Sequence, residues 1–327
     1  QTCALPISSL VGLGSKDSVL STSSLGFDLS TFDLFSTLGS GSRLVLAPKG
    51  SSTFPASLAR FMEKEGISVW YTVPSLIRML ADHGRVEGLD LKLRALLSAG
   101  DRFSTAAALR IRESTGCRLF NLYGPTETNV CTAFEIPKTF GPDQNVPIGS
   151  PVPGNECLIL LESGQMEDFG KGELLVAGSH VMTGYRNSSN EGCFLEWNQK
   201  RFYKTGDIVE RREREEFQLI GRKDGLVKSW GYRVHPGESE KILQTLPGVK
   251  DAAVIAFPHS QAGFLLYAAV VQEEGGSLDV DGLISRLRQE LLPAAVPGEF
   301  RILDALPLNA NGKVDRVALA QLLSVKN

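Results

Sequence analysis

Residues 93–128 read LRALLSAGDRFSTAAALRIRESTGCRLFNLYGPTET, and this stretch decides the fold. LRALLSAG is a short apolar run closed by turn residues, the pattern of a buried strand. STAAALRIRESTG places its apolar residues at helical intervals behind Ser104 as an N-cap, and CRLFNLY returns to strand pattern. Moving outward toward the N-terminus, the alternation repeats. SRLVLAP (42–48) reads as a strand and PASLARFMEKEG (55–66) as a helix with Leu58, Phe61 and Met62 on one face. ISVWYTV (67–73) is β-branched and aromatic, and PSLIRMLAD (74–82) is helical. Strands separated by helices of this length form βαβ units and a parallel sheet. Such sheets bind ligands beyond the carboxyl ends of their strands, so LLSAGD (96–101) and FNLYGPTE (120–127) mark the expected site.

Toward the C-terminus the pattern changes. From Pro137 to Arg222 the chain is rich in Gly and Pro, with short β-prone runs CLILLE, GELLVAG, FYKTGD and EFQLIGR. That predicts a twisted antiparallel or barrel-like subdomain, with ERREREE (210–216) as a solvated hairpin. After Asp224 follows a smaller α+β unit: GLVKSWGYRVHP, a helix over 237–245, strands DAAVIAF and FLLYAAVVQ, the helix VDGLISRLRQEL, and the loop LPLNANGKVDR. The fold class is therefore α/β: the C-terminal part of a large domain, with a parallel βαβ sheet and a β-rich subdomain, then a small α+β domain. The boundaries fall at 8–223 and 224–327. Gln1–Ile7, QTCALPI, reads as a translated sequencing-adapter frame, which sets it outside the fold and implies a missing N-terminus.

Composition excludes several classes. With 34 Lys and Arg against 37 Asp and Glu, the chain offers no basic face for nucleic acid and no polybasic membrane patch. No apolar run reaches the length of a bilayer span. The five cysteines lack CxxC or CxxH spacing, which argues for reduced thiols in a cytoplasmic protein over disulfides or a zinc site.

Four segments carry chemistry. In N121-L-Y-G-P-T-E-T128, Gly124-Pro125 makes a tight turn after a strand. Asn121 offers an amide for a purine edge, Tyr123 a flat face, Thr126 a hydroxyl for phosphate, and Glu127 a hard carboxylate suited to Mg²⁺. In F202-Y-K-T-G-D207, a carboxylate after Gly at a strand end suits the two hydroxyls of a ribose. In G221-R-K-D224, Arg222 supplies a bidentate donor. L306-P-L-N-A-N-G-K-V-D-R316 places Lys313 in a polar Gly-containing loop; alone it reads as a surface lysine.

With G172-E-L-L-V-A-G-S-H-V-M-T-G-Y185 between the first two, the order of segments resembles the adenylate-forming ligase superfamily from about Ser18 to Leu319. Its members include adenylation domains of nonribosomal peptide synthetases, amino-acid–carrier-protein ligases and acyl- or aryl-CoA synthetases. The resemblance implies that Asn121 and Tyr123 hold adenine, with Gly100 also at the nucleotide, Thr126 at the α-phosphate, Glu127 on Mg²⁺, and Asp207 and Arg222 at the ribose of ATP. It implies that Lys313 bridges the substrate carboxylate and the α-phosphate, as the catalytic residue, and that Asp224 is the hinge of a mobile lid.

F27-D-L-S30 speaks to the substrate. In amino-acid-activating members the residue matching Asp28 pairs with the α-ammonium, and an anion in a partly dry pocket rejects acids that lack that cation. The alternative is that Asp28 caps the helix STFDLFSTL. The matching pocket positions are Leu29, Phe32, Thr72, Leu97, Ala99, Leu122, Val130 and Cys131, an apolar, uncharged lining. It is similar to phenylalanine-type pockets, while Leu29 and Leu122 shorten it toward an alanine-sized side chain. The implied reaction is adenylation of an apolar amino acid, then transfer to the phosphopantetheine thiol of a carrier protein. A CoA ligase and a non-catalytic binding module are the alternatives.

Two features depart from the family pattern. Leu219 stands where an aromatic is usual, with Phe217 expected on the same strand face as a substitute. The Gly-, Ser- and Thr-rich phosphate loop is absent, and GLGSKDS (12–18) reads as a connecting loop, so this chain alone is expected to turn over little.

Overall fold

The structure, a computed structural model, describes residues 5–48, 50, 54–101, 103–142, 144–186, 189–223, 225–273, 278–308 and 314–324. Lys313 and Asp224 lie outside the described residues. The chain divides into two compact units, 1–223 and 224–327.

In the first unit, strands β1 (Ser18–Ser21), β2 (Arg43–Leu46), β3 (Val69–Thr72), β4 (Ala95–Ser98), β5 (Arg118–Tyr123), β6 (Thr132–Ile136) and β7 (Ser150–Pro151) form one sheet. Its order is β2-β1-β3-β4-β5-β6-β7. The first five strands are parallel, and β6 and β7 run antiparallel at the edge. Side chains on successive strand residues point to opposite faces, and the strands sort their apolar residues accordingly. Trp70, Leu96 and Leu119 pack into one cluster. Val69, Tyr71, Ala95, Leu97, Phe120 and Leu122 pack into another on the opposite face.

The helices of this unit are α1 (Leu5–Val11), α2 (Leu29–Thr31), α3 (Thr37–Gly39), α4 (Pro55–Lys64), α5 (Pro74–His83) and α6 (Thr105–Thr115). Proline opens α4 and α5, where its missing N–H costs nothing and its fixed φ suits the first turn. Leu58 and Met62 of α4 are buried, and Phe61 packs against the same cluster. Ser104 stands at the N-cap of α6, but its side chain makes no cap hydrogen bond. Residues 12–17 connect α1 to β1 as a loop. Asp17 in that loop binds the Arg94 guanidinium at 2.7 Å and accepts from Ser68 Oγ at 2.7 Å and Gly14 N at 3.0 Å. Between α2 and α3 runs a π-helical turn, Phe32–Ser36, in place of the continuous helix expected there.

The second sheet of this unit is antiparallel. It contains β8 (Asn155–Leu160), β9 (Met166–Glu167), β10 (Gly170–Gly178), β11 (Phe194–Trp197), β12 (Lys200–Arg211) and β13 (Gln218–Arg222), ordered β11-β12-β10-β8-β9 with β13 on β12. Asp207 was expected at a strand end and lies inside twelve-residue β12 instead. The Thr-Gly-Asp triplet that reads as a turn is a bulge. Pairing with β10 shifts between Leu175↔Lys204 and Glu173↔Ile208, and Gly206 takes φ +72°, a conformation that favours glycine. The expected shared face of Phe217 and Leu219 is also corrected. Phe217 precedes β13, bridges Gly149 and is fully buried, whereas Leu219 is half-exposed, so strand alternation does not carry between them.

The second unit has strands β14 (Val227–Ser229), β15 (Tyr232–Val234), β16 (Val249–His259), β17 (Gly263–Gln272) and β18 (Glu299–Leu303). They pair as β15-β14-β17-β16, with β18 parallel to β17. Helices α7 (Pro236–Leu243), α8 (Val280–Glu290) and α9 (Arg316–Ser324) complete it. The His235 ring accepts from Gly237 N at 2.9 Å and caps α7, which starts and stops within two residues of the expected span. Asp279 caps α8 in the same way through Gly282 N.

Candidate active site

The site grows from the carboxyl ends of β4 and β5. Gly100 follows β4 with φ +94°. Asn121, Leu122 and Tyr123 end β5, and the chain then turns sharply through Gly124. A Cβ there would lie 1.7 Å from the Asn129 carbonyl oxygen, so the turn admits no side chain. Asn121 is buried and donates from Nδ2 to the Pro147 carbonyl at 2.7 Å. Thr126 is exposed in the turn, and Thr128 is buried and bonded to the Pro125 and Asn129 carbonyls.

Three of the sequence segments meet at one carboxylate. The Tyr123 hydroxyl donates to Asp207 Oδ2, and Arg222 Nη1 donates to Asp207 Oδ1 at 2.9 Å and to the Thr205 carbonyl at 3.1 Å. The bulge makes this possible: Asp207 N donates to Thr205 Oγ1, and Asp207 sits opposite Arg222 in the β12–β13 pairing. Burial, then the charge of Asp207 and the neighbouring Cys131 thiol, push the Tyr123 phenol well above its usual range. It remains a donor at neutral pH. A carboxylate has four lone-pair sites, so one phenol and one guanidinium leave capacity for further donors such as paired hydroxyls.

Glu127 lies beyond the turn. Its Oε1 accepts from the Tyr185 hydroxyl at 2.7 Å, and its backbone carbonyl accepts from Met182 N at 2.8 Å. Burial first, and then Glu127, raise the Tyr185 phenol against an opposing hydrogen bond from Tyr203. Among the described residues no three His, Cys, Asp or Glu side chains gather as a metal cage. A hard carboxylate just past the Gly124 turn nevertheless suits Mg²⁺, which takes one or two protein carboxylates and completes its shell with water and phosphate oxygens.

The acid-pocket residues divide. Leu29, Phe32, Leu97, Ala99, Leu122 and Val130 share one buried cluster on one face of the parallel sheet. Cys131 packs elsewhere, and Thr72 is a buried polar residue. Thr72 points to the other face, with its hydroxyl 3.4 Å from that of Thr22, and Tyr71 occupies the face that Thr72 was expected to line. The Tyr71 ring meets Phe32 edge-on at 5.3 Å. Burial, then the charges of Asp28 and Asp33, push its phenol far upward. Cys131 packs with Ile148, Cys157 and Phe217 of the β-rich subdomain, its thiol directed at the Tyr123 carbonyl. Asp28 stands at the N-cap of α2 with no side-chain cap hydrogen bond, so the capping alternative finds no such bond here.

Comparison with known proteins decides the family. The family model described as AMP-binding enzyme matches residues 2–186, and its C-terminal domain model matches 238–313. The chain belongs to the AMP-binding enzymes. This AMP-binding enzyme chain is 36% identical over 302 residues to an L-proline–[L-prolyl-carrier protein] ligase of Pseudomonas fluorescens, covering 91% of the chain and 59% of that relative. It is 33% identical to the ligase of the same name from Streptomyces coelicolor, covering 93% of the chain and 58% of the relative. The chain thus spans about three-fifths of their length. Among solved structures, the adenylation domain AlmE of Vibrio cholerae in complex with glycyl-adenosine-5′-phosphate superposes with a TM-score of 0.83 at 27% identity. That match covers 98% of this chain and 62% of AlmE.

Two neighbours of the candidate residues were not singled out in the sequence: Tyr71, which packs in the cluster with Leu29 and Phe32, and Tyr185. Tyr185 closes the quoted stretch GELLVAGSHVMTGY, but nothing local ties it to Glu127, 58 residues away.

Proposed function

We propose that this chain is the larger part of an enzyme that adenylates an amino acid with a compact apolar side chain. L-Proline leads, and the product passes to the phosphopantetheine thiol of a carrier protein. One observation carries the adenylating part: Tyr123, Asp207 and Arg222, from three segments distant in sequence, converge on one carboxylate beside the Gly124 turn. The amino acid rests on Asp28, whose side chain makes no cap hydrogen bond, next to an apolar cluster that includes the bulky Leu29, Leu97 and Leu122. The names of two relatives add L-proline, whose secondary ammonium keeps the charge that Asp28 would pair with.

In this reading Asp207 accepts the ribose hydroxyls of ATP while Tyr123 and Arg222 fix its carboxylate. Asn121 and Tyr123 flank adenine with Gly100 behind, and Thr126 meets the α-phosphate. Lys313 draws the substrate carboxylate and the α-phosphate together against their mutual repulsion. A carboxylate oxygen attacks the α-phosphorus, the bond to the β-phosphate oxygen breaks, and pyrophosphate leaves with that electron pair. Glu127 is the residue that would hold Mg²⁺, which when bound neutralises charge growing on the phosphates. The thiol then attacks the acyl carbon and expels AMP, after rotation about Asp224.

The test is ATP–pyrophosphate exchange with L-proline, L-alanine, L-phenylalanine and benzoate, using the gene with its upstream coding sequence. Exchange led by L-proline is expected, and Lys313→Ala should lower it at least a hundredfold. Exchange driven only by benzoate would overturn the amino-acid assignment, and unchanged exchange in Lys313→Ala would remove that residue from the chemistry.

A further inference from the structure

Between β10 and β11, the described residues 179–186 and 189–193 are bonded at several points, two of them on Glu127. Met182 N donates to the Glu127 carbonyl at 2.8 Å. Arg201 Nη1 donates to the Thr183 carbonyl at 2.8 Å, and the Arg201 guanidinium lies 3.5 Å over the Phe194 ring. Asn190 Oδ1 accepts from Tyr185 N at 2.6 Å. These contacts fix the backbone on which Tyr185 is mounted. At its tip, the Tyr185 hydroxyl donates to Glu127 Oε1 at 2.7 Å and lies 3.2 Å from the Tyr203 hydroxyl. The Tyr203 ring is packed edge-on against Phe194 at 5.6 Å, so the second phenol is also held.

From this geometry we propose that Tyr185 is a positioning residue for the metal carboxylate: its hydroxyl, backed by Tyr203, holds Glu127 in the rotamer that receives Mg²⁺. The proposal rests on the adenylating reading above and adds a residue to it. A glutamate on a turn has three side-chain torsions to order before it can ligate, and a fixed donor on one oxygen removes most of that freedom in advance. The phenol is neutral, so it orients the carboxylate without cancelling the charge that attracts a cation. Because a carboxylate accepts at about four positions, one phenol does not exhaust it. Hydrogen-bond partners behind metal-binding side chains commonly set metal affinity by ten- to a hundredfold.

The test compares the unsubstituted protein with Tyr185→Phe in the full-length polypeptide, with calorimetric titration of ATP at a series of Mg²⁺ concentrations and of AMP without metal. Tyr185→Phe keeps the ring and removes only the donor. The expected result is a Mg²⁺ requirement about tenfold higher, with AMP affinity in the absence of metal unchanged. An unchanged Mg²⁺ requirement overturns this proposal alone. Equal losses of AMP and Mg²⁺–ATP binding overturn it too, since they would mark a packing role. If the unsubstituted protein shows no metal-dependent ATP binding, the adenylating reading fails with it.

Discussion

The two ends of the parallel sheet are built differently. At the amino ends the polar groups bond to one another. Asp17 before β1, Ser68 before β3 and Arg94 before β4 form one network, and Arg94 also donates to the Val11 and Gly12 carbonyls. Arg118 at the start of β5 pairs through two nitrogens with Glu135. At the carboxyl ends, groups more deeply buried than these are left short of partners. Asp33, fully buried above β1, accepts from Ser21 Oγ through Oδ2, while its Oδ1 and the Ser98 hydroxyl at the end of β4 have no partner. Buried polar atoms without partners reduce stability, so a chain keeps them mainly where something else requires them. One end secures the fold; the other is where the proposed site lies.

The contrast can be broken most severely at Asp207. Asp207→Ala should cost about 3–5 kcal/mol in denaturant unfolding, because it strands the Arg222 guanidinium and the Tyr123 phenol together. It should also abolish nucleotide binding in calorimetry. Retained binding would detach the carboxylate from the ribose. At the opposite end, Asp17→Asn should cost about 1–2 kcal/mol at pH 7, since the half-exposed Arg94 is partly screened, and leave nucleotide binding intact. Burial alone would raise the Asp17 carboxyl, but hydrogen bonds from Arg94, Ser68 and Gly14, with the Arg94 charge, hold it below its ordinary 3.8. Its contribution is present above that value and fades as pH falls through the lower folded one, so the difference between the two proteins should shrink in acid.

Asp33 should behave with the opposite sign. Burial raises its carboxyl from 3.8 to about 7, against the hydrogen bond from Ser21. The folded protein then holds a proton that the unfolded chain releases between those values. The stabilisation is complete below 3.8 and is lost as pH rises to about 7. Asp33→Asn, unable to ionise, should therefore be more stable than the parent at pH 8 by about 2 kcal/mol relative to the difference at pH 4, half the limit of roughly 1.4 kcal/mol per unit once relaxation is allowed. Melting curves at the two pH values check it, and a pH-independent difference would refute the assignment. The smallest effect belongs to Ser98→Ala, which removes an unpartnered hydroxyl and should change stability by under about 0.5 kcal/mol. A loss above 1.5 kcal/mol would show that the hydroxyl is bonded in solution.

The βαβ part was legible because helices and strands write different periods, and here both faces of each strand are apolar enough to mark it. The site was legible as segments but not as an arrangement. Asp207 was read as the end of a strand because Thr-Gly-Asp is turn chemistry, and only pairing with β10 makes it a bulge. Thr72 came from the family resemblance, and in VWYT every residue is buried, so composition gives no hint of which face each side chain takes. Cys131 was assigned to the acid pocket by position, whereas its side chain turns into the β-rich subdomain. The Glu127–Tyr185 bond has no local sequence signal at all.

The β5–turn–β6 hairpin carries residues of both sites on one short piece of chain. In the proposed reading Asn121, Tyr123 and Glu127 face the nucleotide, while Leu122 and Val130, between and beside them, pack in the apolar cluster next to Asp28. A gene exchange that swaps acid preference between relatives therefore cannot draw its crossover points inside residues 118–136 without also importing a foreign grip on the nucleotide. Crossovers placed outside that span would move the hairpin as a single heritable cassette, with the spacing between the two sites travelling intact.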